Sequence, residues 1–225
     1  MKKDMDWWCD RAWIKFGCWI TALMTCLIMV FWKSWSPELK IIAAIAALIP
    51  IHVIEEWVFP GGFHFQYNTF MYKSDQPDRY PMCRISDVIT NLGATFLYII
   101  LTCISVANGG IVSTGVIMGT IGFCLLEVII HTIFGTMAYF RYKGKGKTTI
   151  YGPGSITAYL GFGVFGCILL YCMSGRIITG HDWLICAIVL CIIAFVLILI
   201  PENIIKKKDN AYSFRSNGYY DRFLK

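Results

Sequence analysis

The sequence predicts an all-α polytopic membrane protein, a bundle of six transmembrane helices with both termini cytoplasmic. Three observations predict it. Of the 225 residues, 57% are hydrophobic and only 15% charged, against about 25% charged in an ordinary soluble domain. Six apolar runs punctuate the chain, each near the roughly 20 residues that a helix needs to cross the hydrocarbon. Seventeen of the twenty Lys and Arg fall on one side of such a bundle, leaving Lys33, Lys40 and Arg176 on the other, and the positive-inside rule makes the basic side cytoplasmic. This composition excludes a soluble enzyme. The net charge of +6 reads as attraction to a membrane surface, not as nucleic-acid binding.

The runs are residues 13–32, 40–59, 86–107, 111–140, 154–173 and 183–200. The first is too long for a signal peptide and lacks a small-residue cleavage site, so it is expected to be retained. The fourth is long for one crossing, and its last turns are expected to leave the hydrocarbon. Trp7, Trp8, Trp13 and Trp57 fall near the inner interface, and Trp32, Trp35 and Trp183 near the outer one, as interfacial aromatics do. An odd number of spans would part the basic tail from the basic amino terminus. Residues 1–205 therefore read as one transmembrane domain and 206–225 as a basic cytoplasmic tail. Eight of the ten cysteines lie in spans without a CxxC pair, so they are expected to act as small hydrophobes. His64 and His181, alone in their loops, are expected to be solvated.

The informative residues are those a bilayer should reject, since a charged group at mid-membrane costs about 2.5–3.5 kcal/mol. The second run carries His52, Glu55 and Glu56, spaced i, i+3 and i+4, hence broadly on one helix face. The fourth carries Glu127 and His131 at i, i+4. The third carries a stripe of Asp87, Asn91, Thr95 and Tyr98, and the fifth opens with Ser155, Thr157 and Tyr159. With alternating span directions, these groups fall in one layer near the cytoplasmic side. Two histidines with two or three carboxylates on facing helices suit a divalent metal, zinc first, with iron or manganese compatible. His52, Glu55, Glu127 and His131 are the expected ligands. Glu55 and Glu56 diverge by about 100° around a helix. Glu56, one residue nearer the wet interface, is therefore expected to be the catalytic base, with Asn91 orienting ligand or substrate. Pro50, two residues before His52, is expected either to bend its helix and open a pocket there or to be a tolerated membrane proline, and Lys145 and Lys147 to face a lipid phosphate or to serve topology alone.

His52-x-x-Glu55-Glu56 followed by Pro60-Gly61-Gly62-Phe63 resembles the HXXEE-motif family of small multi-pass membrane proteins. Glu127-x-x-x-His131 and Tyr151-Gly152-Pro153-Gly154 are similar to that family's second half. The resemblance supports functional roles for His52, Glu55 and Glu56 and implies no substrate. The glutamate pair also resembles that of intramembrane CAAX-type proteases, but Pro60 stands where those carry an arginine. The expected function is a metal-dependent enzyme acting on a lipid or other hydrophobic substrate at the cytoplasmic leaflet, by hydrolysis or proton transfer. The alternative is a proton-coupled transporter or ligand-binding protein using the same groups. Membrane lipids are the expected surroundings and nucleic acid is not an expected partner.

Overall fold

The computed structural model describes residues 2–224. Six of its helices are long and apolar enough to span a membrane: Trp13–Val30, Pro37–Trp57, Arg84–Ala107, Thr114–Lys145, Ser155–Cys172 and Gly180–Ile205. These are called the first to sixth spans below. No strand occurs among the described residues. The protein is thus an all-helical, multi-pass membrane protein.

The ends of the spans follow from capping more than from apolarity. Ser36 accepts from the Leu39 amide ahead of Pro37, so the second span begins three residues before its apolar run. Thr179 and Asp182 form a reciprocal capping box, which starts the sixth span at Gly180. That span also continues past Pro201 to Ile205, because Pro201 enters at the first turn after a π-helical stretch, Ile192–Leu199. The fifth span carries a second π-helical stretch, Ala158–Gly163. The fourth span is the longest of the six, at 32 residues.

Close packing of spans uses small residues, the usual device where lipid removes any hydrophobic drive between helices. Gly115, Gly119 and Gly122 of the fourth span lie against Ile185, Val189 and Leu190 of the sixth. Pro50 sits inside a continuous helix and packs on Gly17 of the first span. Thr21 donates to the Ala47 carbonyl at 2.8 Å, which ties the first span to the second one turn before Pro50. Pro50 is therefore a seat for the first span and opens no pocket onto His52.

The two termini meet at one end of the bundle. Buried Arg84, at the start of the third span, pairs with Asp6 at 2.5 Å and with Asp10, which also pairs with Arg215. The tail is not a free basic segment. Phe214 stacks on His64 with ring centroids 3.7 Å apart, Tyr219 donates its amide to the Gly61 carbonyl at 3.0 Å, and Tyr220 donates to Gln66 at 2.6 Å. A side chain at Gly62, whose φ is +105°, would run into the Asn217 carbonyl. The Pro60-Gly61-Gly62-Phe63 sequence is thus shaped to receive the tail. His64, expected in solvent, is buried beneath it. Lys147 is also buried, donating to the Tyr151 carbonyl at 2.5 Å and to Tyr219 at 3.0 Å, so it offers nothing to a lipid phosphate. Lys145 is exposed.

Candidate functional site

The second and fourth spans bring two histidines face to face. The imidazoles of His52 and His131 lie edge to face with centroids 5.0 Å apart. His52 Nε2 is 3.3 Å from Glu56 Oε1 and 3.4 Å from Glu127 Oε2. His131 Nε2 is 3.5 and 3.6 Å from the same two oxygens. These separations exceed the 2.7–3.2 Å of ordinary N–H···O bonds. The two from Glu56 match the edge of a tetrahedron whose corners lie 2.0–2.2 Å from a central ion, an edge of about 3.3–3.6 Å.

The buried atoms of His131 fit the same reading. The residue is 1% exposed, yet neither ring nitrogen has a hydrogen-bond partner, and an orphaned buried polar group is costly. The ligand atoms of His52, Glu56 and His131 all lie within 4.8 Å of one another. Glu127 is the most exposed member, with 22% of its side chain accessible.

Glu55, expected among the ligands, lies outside this group, and the adjacent Glu56 lies within it. The Glu55 carboxylate accepts from the amides of Ile156 at 3.0 Å and Thr157 at 2.9 Å, from the Thr157 hydroxyl at 2.6 Å and from Tyr151 at 3.2 Å. It anchors the start of the fifth span, where free amides welcome an anion. His52 Nδ1 is 2.6 Å from the same Thr157 hydroxyl. A carboxylate only accepts, so Thr157 gives its proton to Glu55 and receives one from His52 Nδ1. That leaves the Nε2 lone pair of His52 facing Glu56 and Glu127. Such an outer partner fixes both tautomer and ring angle. Thr157 was visible in the sequence only as a polar residue at the right depth.

Gly154, with φ +88°, packs its backbone directly on the His131 ring, where a Cβ would collide with it. Phe162 and Phe63 close the remaining sides of the two imidazoles, at 5.2 Å each. The Tyr151-Gly152-Pro153-Gly154 turn thus holds both histidines, one by contact and one through Thr157.

A cavity of about 540 Å³ opens beside the group. His52, Glu56 and Glu127 line its inner end, with Asp87, Thr90 and Asn91 on one wall and Ala194, Ile198 and Glu202 on another. Asn91 is in the cavity as expected, but its amide is turned to Asp87, donating to the carboxylate at 2.9 Å. Asp87 also receives the Trp57 indole N–H. Thr90 donates to the Leu197 carbonyl at 2.8 Å and ties the third span to the sixth. Between the sixth and fourth spans, by contrast, the cavity walls carry exposed Ile130, Ile133, Met137 and Leu199.

Fold and site together define a polytopic membrane protein with a buried histidine–glutamate centre beside a cavity whose rim carries exposed apolar side chains. The family model described as a protein of unknown function with HXXEE motif matches residues 43–172. The chain belongs to this family. The match takes in the second through fifth spans with every residue of the centre, and leaves out the first and sixth. No curated protein and no solved structure matches the chain.

Proposed function

We propose that the protein is an intramembrane, metal-dependent enzyme that acts on a lipid-like or other hydrophobic substrate. The observation that carries this reading is the convergence of two imidazole nitrogens on two carboxylates at 3.3–3.6 Å, at the end of a cavity with an apolar, lipid-facing rim. His52, Glu56 and His131 would hold a divalent ion, zinc first by donor chemistry, with iron or manganese compatible. Bound there, the ion supplies a Lewis acid and lowers the pKa of water. Glu127, the member most open to the cavity, takes a proton from water or substrate and returns it to the product. Glu55 and Thr157 keep His52 aimed inward. Asp87 and Asn91 offer polar contacts to whatever lies between them and Glu127. Hydrolysis and proton-transfer isomerisation both fit this division of labour.

Catalysis is preferred to transport because the layer on the far side of the centre is filled. Ile45, Tyr98, Phe123, Phe162 and Leu169 are all buried there in one apolar cluster, and a transport path would have to part them. The excess of lysines and arginines at the end that holds both terminal segments supports a cytoplasmic side for that end of the bundle.

Metal analysis of the purified protein tests the centre. About one equivalent of one transition metal is expected, falling below a tenth in His52→Ala, His131→Ala and Glu56→Gln. Equal metal in wild type and all three variants overturns the metal reading. Incubation with a membrane lipid extract, followed by mass spectrometry, should show a product absent with Glu127→Gln. Proton flux into vesicles without any product would favour the transporter instead.

A further inference from the structure

We propose that the lateral cavity seats a single-chain amphiphile with a cationic head, an amine or quaternary ammonium, held at Glu202 between Tyr67 and Tyr72. This names a substrate class for the centre described above and rests on that reading for the reaction, though not for the binding.

Charge is the first reason. The cavity is lined by four carboxylates, Glu56, Asp87, Glu127 and Glu202, and by neither Lys nor Arg. Three of the four are matched: Glu56 and Glu127 face imidazoles, and Asp87 receives the Trp57 and Asn91 N–H groups. Glu202 is different. It is 4% exposed, it has no salt bridge among the described residues, and its partner is the neutral Tyr67 hydroxyl at 2.7 Å. Tyr72 follows, its hydroxyl 3.4 Å from that of Tyr67. A buried carboxylate without a counter-charge is costly, and a ligand that brings the charge removes the cost.

Shape is the second. Phe63, Tyr67, Phe70, Tyr72 and Phe134 line the same cavity, and aromatic faces attract ammonium groups, quaternary ones included. A volume of about 540 Å³ is within the range that buries one drug-sized ligand, so one chain with its head fits better than a two-chain phospholipid. The rim of Ile130, Ile133, Met137 and Leu199 gives an alkyl chain its way in from the bilayer. A phosphate or carboxylate head would meet the unmatched Glu202 carboxylate as a like charge and be disfavoured.

The test is equilibrium binding of radiolabelled dodecyltrimethylammonium to the full-length protein in nanodiscs of uncharged lipid, corrected against empty nanodiscs. Dodecanol and dodecyl phosphate serve as competitors. The cation is expected to bind at least tenfold more tightly than either competitor. Glu202→Gln should lose about tenfold for the cation and nothing for dodecanol, whereas Glu202→Asp keeps the preference. Either competitor matching the cation overturns the proposal, as does an unchanged cation affinity in a folded Glu202→Gln protein. Each measurement is made on protein stripped by chelator and again after zinc is restored. The preference is expected in both states, so failure of the metal centre and failure of the cation site give different results.

Discussion

Adjacent glutamates with opposite surroundings make the sharpest prediction at the scale of single residues. Glu56→Gln removes a carboxylate that faces both histidines and should lose metal. Glu55→Gln leaves the oxygens that face the histidines in place and disturbs Thr157 instead. Thr157→Val removes the hydroxyl that orients His52, and loss of such a partner typically lowers metal affinity by about 10–100-fold. Zinc titration against a competing chelator should therefore rank wild type above Thr157→Val and Thr157→Val above Glu56→Gln. His64 gives a separate prediction. Burial lowers its pKa to about 3 from 6.5, so between those values the unfolded chain binds the proton and the native protein does not. Native stability is then complete above pH 6.5 and is lost as pH falls toward 3. Thermal unfolding in detergent should show this acid loss, reduced in His64→Phe, which keeps the stack on Phe214.

Among the elements, the turn before the fifth span and the gap between the fourth and sixth carry the testable consequences. Gly154→Ala places a methyl group in the His131 ring on a backbone with positive φ, a conformation that alone costs about 1–2 kcal/mol for a residue with a Cβ. The expected result is weaker zinc binding with little change in amphiphile binding. Ile133→Trp, at the exposed rim, should do the reverse. It narrows the way in, slows uptake of a dodecyl probe several-fold and leaves zinc stoichiometry at the wild-type value. Equal uptake rates would place the substrate's path elsewhere.

For the molecule as a whole, the tail is a structural member. It reaches the centre through a chain of contacts: Tyr219 to Lys147, Lys147 to the Tyr151 carbonyl, Tyr151 to Glu55, Glu55 to Thr157, and Thr157 to His52. Truncation after Lys208 removes Phe214, Tyr220 and Phe223, all buried. At about 1.5–3 kcal/mol for each large apolar side chain, melting should fall by more than about 10 °C, and metal affinity should fall with it. A truncated protein with wild-type melting and metal content would show that the tail is only an appendage.

Much of this was legible in the chain, because the bilayer enforces simple rules. Apolar length sets the number of spans, and the energetic penalty on buried charge marks His52, Glu55, Glu56, Glu127 and His131 as residues with a purpose. Helical spacing then puts them at one depth. Spacing could not tell Glu55 from Glu56, since both lie within reach of His52 on the same helix. The choice was made by a neighbour 100 residues away in sequence, the start of the fifth span, whose amides and Thr157 claim Glu55. In the same way Glu202 drew no reading at all, His64 looked solvated, and residues 206–225 read only as a basic tail. Their burial depends on where a loop and a tail fold back, and no local period or charge count encodes that. Depth in the membrane is a property of the sequence. Which groups meet at that depth, and which face a cavity, was decided only by tertiary packing, because partners are chosen by contacts between distant segments.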